Sequence, residues 1–168
     1  EVAKGNPVFF DAVTCNAIKV VASRPSNRDG SYVFRLSELE VWGIESSEQL
    51  QKPNFDDETT NVALASNGTI ISNASTHSWA EPYRDANKYG MYNSARIIDG
   101  AQSFNTGKGF WYGDRGTDKQ TTSLGVTLVF NNTYRIHKIS LEPAYTWTTY
   151  EGGFPEDFTI EVMTTEGW

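Results

Sequence analysis

The sequence predicts an all-β protein, and three observations support this prediction. β-Branched and aromatic residues fill short segments, which Gly, Pro, Asn, Asp, Ser and Thr separate at short intervals. Aromatic residues make up 13% of the chain, a share that favours β structure. No internal repeat and no long amphipathic helical pattern is present. At 168 residues the chain is long enough for one domain with a sizeable core, so we expect a single β-sandwich.

Six segments have the composition of strands. In the clearest, large apolar residues occupy every second position from Leu124 to Phe130, as expected for a strand with one buried face. A short helical turn is expected at residues 94–100, where Gly100 ends it. The predicted strands are residues 17–22, 33–42, 62–71 (an edge strand), 125–130, 135–142 and 157–163.

Residues 44–60 are polar and contain acidic runs, which is typical of a solvated linker without chemistry of its own. The single cysteine, Cys15, cannot form an internal disulfide. It lies among apolar residues, so we expect a buried thiol in a strand. The lack of paired cysteines favours a bacterial origin over a secreted animal one.

The net charge of −7 argues against nucleic acid and anionic lipid as partners, because both demand clustered Lys and Arg. The 14 basic residues are few and scattered. No apolar run approaches ~18 residues, so we expect no membrane insertion.

Catalytic signatures are scarce. His77 and His137 do not form a metal-binding spacing, and no nucleophile elbow or phosphate loop is present. Glu38 and Glu40, two apart on a predicted strand, should point to one face. Such a pair can serve acid–base catalysis, but close carboxylates are more often surface charges or cation ligands. We therefore expect no enzymatic activity.

Aromatic side chains are concentrated in predicted loops. One loop, residues 72–93, holds four of them together with amide and charged side chains, and two further loops hold five more. Aromatic rings stack on the C–H face of a pyranose, while amide and charged groups bond its hydroxyls. Although any one ring could simply pack its loop, the whole set favours a carbohydrate site. The rings are Trp79, Tyr83, Tyr89, Tyr92, Trp111, Tyr112, Tyr145, Trp147 and Tyr150.

The two ends of the chain look like parts of one hairpin. Residues 154–162 alternate like a strand, and residues 1–7 are typical of its return arm. Joining the tail to the head gives a unit that starts near Asn61, which predicts a circular permutation: residues 61–168, then 1–43, joined by the linker. Alternatively, the chain is cut from a tandem array and pairs between copies as a swapped oligomer. We expect closure within one chain and a monomer.

In this cyclic order the chain resembles the discoidin domain, also called the coagulation-factor C-type domain. Its bacterial relatives are the family 32 carbohydrate-binding modules. The resemblance implies a β-sandwich or jelly-roll of about eight strands with neighbouring termini. The stretches that carry it are residues 61–64, residues 95–100, Trp111, residues 154–162 and residues 34–43.

The resemblance also implies a structural Ca²⁺ ion held by oxygen ligands. The side chains of Asp99 and Glu38 correspond to the family's two carboxylate ligands, and Thr106 or Ser103 could supply a hydroxyl. Alternatively, Asp99 caps the helical turn. Backbone carbonyls would complete the shell at Arg96, Ala101 and Ser37.

The implied glycan site departs from the family pattern. Tyr112 stands where galactose-binding relatives have a His, and residues 141–143 lack their Arg. We therefore expect an altered specificity supplied by the loop at residues 72–93, for a galactose- or N-acetylhexosamine-containing glycan. The expected contacts are His77, Trp79, Glu81, Tyr83, Arg84, Trp111, Tyr112, Tyr145, Trp147, Asn27, Arg28 and Tyr32.

These observations predict a non-catalytic carbohydrate-binding module of a larger bacterial protein, either a glycoside hydrolase or an adhesin. Its location would be secreted or on the cell surface. The alternative is a protein- or lipid-binding adhesion module of discoidin type that binds no sugar. The acidic balance argues against lipid and leaves a protein partner open.

Overall fold

The computed structural model describes residues 7–28, 31–46, 59–74, 94–100, 111–112, 124–146, 149–150 and 153–168. Most of them lie in strands, so the prediction of an all-β protein is confirmed. Two 3₁₀ turns, Ala65–Asn67 and Ser94–Ile98, are the helical elements within these residues. The strands are β1 (Val8–Arg24), β2 (Ser26–Arg28), β3 (Ser31–Val33), β4 (Arg35–Glu45), β5 (Thr60–Asn61), β6 (Ile70–Ala74), β7 (Trp111–Tyr112), β8 (Leu124–Pro143), β9 (Tyr145–Thr146), β10 (Thr149–Tyr150) and β11 (Asp157–Met163).

One antiparallel sheet connects most of these strands, in the order β11–β1–β8–β4–β5. Outside that path, β6 pairs with β8 and β7 pairs with β4. β1 and β8 are the longest strands, with 17 and 20 residues, and they pair with each other along much of their length. They form a central ribbon on which the shorter strands assemble.

The central ribbon changes layers at an irregularity in its register. Cys15 of β1 faces Tyr134 of β8, but Ala17 faces Val129, so the partner position in β8 moves back by five residues while β1 moves forward by two. Before this point β8 pairs with β6, and after it β8 pairs with β4. Such irregularities bend strands and allow one strand to serve both layers of a sandwich. β6, β8, β1 and β11 form one layer, and β1, β8, β4, β5 and β7 form the other.

Apolar residues from both layers share one buried cluster. Ile18, Val20 and Leu128 come from the first layer, and Leu39 and Ile139 come from the second. Each is at most 1% exposed. Burying an aliphatic side chain of this size contributes about 1.5–3 kcal/mol, so a one-residue slip that moved this set to the outer face would be costly. The shared cluster makes the fold a β-sandwich.

Several predicted elements are confirmed. Residues 125–130 and 135–142 both lie in β8, and residues 157–163 form β11. The turn at Ser94–Ile98 is followed by Gly100, whose φ of 75° suits a glycine after a helical turn. Cys15 is buried in β1, as expected.

The predicted edge strand at residues 62–71 is wrong over most of its length. The chain turns after Asn61 and becomes extended again only in β6, which is an edge strand of its layer among the described strands. Local polar contacts explain the difference, because the Asn67 amide donates to the carbonyl oxygen of Asn61 at 2.8 Å. Gly68 then ends the 3₁₀ turn with a φ of 82°, a conformation that glycine adopts at no steric cost.

The predicted linker at residues 44–60 is too long at both ends. Ile44 and Glu45 continue β4, where they face Arg135 and Tyr134 of β8, and Ile44 is buried. Thr60 begins β5. Residues 47–58 lie outside the described residues.

β11 lies antiparallel to β1, with Met163 facing Ala17. The chain then turns back tightly, and a bridge joins Thr164 to Gly167. The strand found beside β11 is therefore the second half of β1, whereas the sequence predicted residues 1–7, of which 1–6 lie outside the described residues. The permuted order itself stays a prediction. Within the described part of the chain, no helix is long and apolar enough to cross a membrane.

Candidate functional site

Strand segments from distant parts of the chain meet at the beginning of β4. Arg35 faces Tyr112 and Leu36 faces Trp111, both in β7. On its other side, Leu36 faces Pro143 at the end of β8. β7 and the end of β8 therefore flank the first residues of β4. We call this region the aromatic end, and it comprises residues 31–36, 111–112 and 143–146.

Two hairpins join the sheet at the aromatic end. β2 pairs with β3, and Ser26 faces Val33 at the base of this hairpin. From Val33 the chain continues directly into β4. β9 and β10 form the second hairpin, after which the Gly153 carbonyl accepts a hydrogen bond from the Arg35 amide at 2.9 Å. Gly153 has a φ of 86°, and a Cβ there would lie 2.9 Å from the side chains of both Arg35 and Val33. Both hairpins are thus fixed at the same place.

Half of the predicted glycan contacts lie on segments that pair with the start of β4 or adjoin it along the chain. β7 pairs with Arg35 and Leu36, the β2–β3 hairpin leads into β4, and β9 follows the end of β8. The residues so placed are Asn27, Arg28, Tyr32, Trp111, Tyr112 and Tyr145. The predicted contacts outside the described residues are His77, Trp79, Glu81, Tyr83, Arg84 and Trp147.

Beside the aromatic end, β4 carries a buried carboxylate. Glu38 faces Glu142 and Glu40 faces Ser140, so Glu38 and Glu40 share a face, as predicted. The turn at Ser94–Ile98 packs against β4 and against β7. Glu38 is 2% exposed, and neither of its carboxylate oxygens forms a hydrogen bond with a described residue.

The surroundings of Glu38 disfavour its ionised form. Burial is the largest cause, followed by the negative charge of Asp99, and together they raise the pKa of Glu38 from 4.5 to about 8. The charges of Glu40 and Glu142 act in the same direction. The Gly100 amide opposes them, although it is not close and aligned enough to satisfy either oxygen. A buried, unsatisfied carboxylate of this kind costs free energy unless a cation or a proton compensates it.

The donor set fits the calcium site that the family resemblance implies. Glu38 and Asp99 lie close enough to interact electrostatically, and oxygen-rich ligand sets suit Ca²⁺. Arg96 pairs with Asp99 Oδ2 at 3.1 Å, so Asp99 also stabilises its own turn. No group of three or more His, Cys, Asp or Glu able to hold a metal occurs among the described residues, but two carboxylates with neutral oxygens do not require one. Of the remaining expected ligands, Ser37 and Arg96 are described, and Ala101, Ser103 and Thr106 lie outside the described residues.

Sequence reasoning missed a polar groove of about 690 Å³ at the opposite end of β4. Its polar groups largely satisfy one another: Asn132 donates to Glu45 at 2.8 Å, and the Tyr134 hydroxyl donates to Asn131 at 2.7 Å. Asn67 also lines it. The only sequence signal was a pair of Asn-x-Thr triplets at Asn67 and Asn131, which chance also produces. The groove could not be found from sequence because three distant segments form it.

No protein-family model, no curated protein and no solved structure matches the chain. The resemblance to the discoidin family therefore stays a prediction from the residues and their cyclic order.

Proposed function

We propose that the protein is a non-catalytic carbohydrate-binding module that binds glycans at the aromatic end. The observation that carries this proposal is the register of β4. Leu36 lies between Trp111 and Pro143, so β7 and the end of β8, which leads into β9, flank the same strand, and β7 and β9 both contain predicted glycan contacts.

The residue types on these segments suit a sugar better than another ligand class. Under this proposal, the rings of Tyr32, Trp111 and Tyr145 would meet the C–H face of a pyranose, and Asn27 and Arg28 would bond its hydroxyls. The segment outside the described residues that contains Trp79 and Glu81 would complete the specificity. Galactose- and N-acetylhexosamine-containing glycans are the expected ligands.

A Ca²⁺ ion would brace this site without taking part in chemistry. Glu38 and Asp99 would hold it, and it would neutralise the buried carboxylate of Glu38. The ion would fix the turn at Ser94–Ile98 against β4 and β7, next to Trp111. Glycan affinity is therefore expected to fall when calcium is removed.

One module of this kind binds weakly, so its use would come from tethering. Attached to a bacterial glycoside hydrolase or adhesin, secreted or at the cell surface, it would raise the effective concentration of its partner domain near a glycan. This context follows from the family resemblance.

A glycan array tests the proposal, read once with Ca²⁺ and once with EDTA. We expect hits that share one terminal sugar and weaken in EDTA. Trp111→Ala and Tyr145→Ala should remove the hits. The matched control Trp168→Ala should keep them, because Trp168 contacts Lys19 of β1 and does not belong to the aromatic end. A blank array from a folded sample would contradict sugar binding and favour a protein partner. Hits that survive Trp111→Ala and Tyr145→Ala would contradict the location.

A further inference from the structure

A row of side chains crosses the outer face of the second layer. Phe9 of β1 faces Lys138 of β8, and Lys138 faces Trp42 of β4. Directly paired residues on antiparallel strands point to the same face. The next position along the ribbon, Ile139, belongs to the buried cluster, so Lys138 and its two neighbours face outward. Phe9 is 67% exposed.

Two aromatic rings flank the ammonium group of Lys138. Its Nζ lies 4.0 Å from the centre of the Trp42 ring and 6.0 Å from the centre of the Phe9 ring. No carboxylate of a described residue lies within ion-pair distance of it. Lys19 provides the contrast, because it lies over the Trp168 ring but also pairs with Glu161. Lys138 therefore offers a cation whose hydrogen-bonding capacity the described residues leave unused.

The charge and the rings of this row suit one acidic sugar residue. Phe9 and Trp42 are two strand spacings apart, or about 9–10 Å, and the Lys138 ammonium group lies between their rings, so a ligand would meet the ammonium group and the ring edges from the solvent side. The ammonium group matches a carboxylate, and the rings match C–H groups. Glu40, which accepts a hydrogen bond from the Trp42 indole at 3.4 Å, adds an acceptor at the edge. The net charge of −7 disfavours a ligand with many negative charges.

We propose that Phe9, Lys138 and Trp42 form a second site, which binds a single carboxylate-bearing sugar residue such as a hexuronic or sialic acid. It rests on the proposed glycan-binding function but uses a different surface. Leu36 at the aromatic end is six residues from Trp42 along β4, or roughly 20 Å. A glycan with an acidic residue at one end and a neutral one at the other could engage both surfaces.

Calorimetric titration of the whole chain tests this proposal, with sialyllactose and digalacturonate as acidic probes and lactose as the neutral counterpart. Lys138→Met keeps the aliphatic stem and removes the charge. We expect it to weaken binding of an acidic probe about tenfold, the effect of one charge-assisted hydrogen bond. Lys138→Arg should restore much of the affinity. Lys19→Met removes the same charge from a lysine that is already paired, so it should leave the affinity unchanged. The two acidic probes distinguish a sialic acid from a uronic acid.

Two further readouts separate this site from a purely structural contact. Phe9→Ala should weaken acidic probes without lowering the melting temperature, because Phe9 is mostly exposed. Added salt should weaken acidic probes and leave neutral ones unaffected. Equal affinity in wild type and Lys138→Met, or no acidic binding by wild type, would overturn the second site. If neutral glycans still bound, the proposed function would stand; if no glycan bound, both would fail.

Discussion

At the scale of single residues, Glu38 determines how stability depends on pH. Burial, followed by the charge of Asp99, raises the pKa of Glu38 from 4.5 to about 8, so between these pH values the folded state holds a proton that the unfolded state has released. In EDTA, the contribution of Glu38 to the free energy of unfolding should be complete below pH 4.5. It should then fall by about 1.4 kcal/mol for each pH unit up to pH 8. Urea titrations across this range measure the slope.

Two variants and one ion test the same residue. Glu38→Gln should flatten the slope because it removes the titrating group, whereas Glu166→Gln, in an exposed turn, should keep it. If Ca²⁺ binds Glu38, its addition at pH 8 should raise the melting temperature of wild type but not of Glu38→Gln. A wild-type slope that matches Glu38→Gln would mean that water or a residue outside the described ones already compensates the charge.

Sequence reasoning at this scale found the residue types but not their surroundings. Glu38 and Asp99 were chosen from motifs, and the structure brings them together. What the sequence could not predict is that Glu142, 104 positions away from Glu38, would lie directly opposite it. Pairing across a sheet depends on register, which only the folded chain defines.

At the scale of elements, Gly153 controls how the hairpins join the aromatic end. Gly153→Ala would add a Cβ that clashes with Val33 and Arg35, and it would also strain a residue in the left-handed region. We expect the free energy of unfolding to fall by about 2–4 kcal/mol and glycan affinity to fall with it. Gly167→Ala is the matched control, since its φ is 105° but nothing lies within 4 Å of a Cβ there. It should cost about 1–2 kcal/mol and leave glycan affinity intact. Equal losses would show that the clash is relieved by movement of Arg35 and Val33.

Strand boundaries predicted from hydrophobic alternation are correct where the strand is half-buried. They are wrong where other contacts determine the backbone conformation. Residues 125–130 alternate strictly, and β8 contains them. Residues 62–69 look like a strand in composition, but Asn61 accepts hydrogen bonds from the amides of Val41 and Ala63 through its side chain and so enforces a turn. Ile44 looked like linker because polar residues follow it, and its partner Arg135 is remote in sequence.

At the scale of the whole molecule, the front and back parts of the chain interleave. β1 and β4 come from the first 46 residues, and they flank β8 on both sides of the sheet. A protease site placed in residues 47–58 should therefore be cut without unfolding the protein. The two fragments should elute together as a species of the mass of the uncut chain, because separating them would expose β8 along its β1 edge and, from Tyr134 to Pro143, along its β4 edge as well. Size-exclusion chromatography with light scattering measures this.

The uncut protein with the same inserted site is the control for that experiment. It should elute at the mass of one chain, since β11 and β1 of the same chain already pair. Fragments that separate at native pH without denaturant would contradict the interleaved sheet. A dimeric uncut protein would favour exchange of strands between copies instead.

Interleaving also fixes when the protein can fold during translation. β1 and β4 leave the ribosome long before β8, the strand that both of them need as a neighbour. Until then, the early strands carry apolar residues such as Ile18 and Leu39 without a core to enter. With so many contacts between distant positions, folding is expected to be slow and to begin only after β8 has been synthesised. The nascent chain would then be most exposed to misassembly and to chaperones while the segment between β4 and β8 is being made.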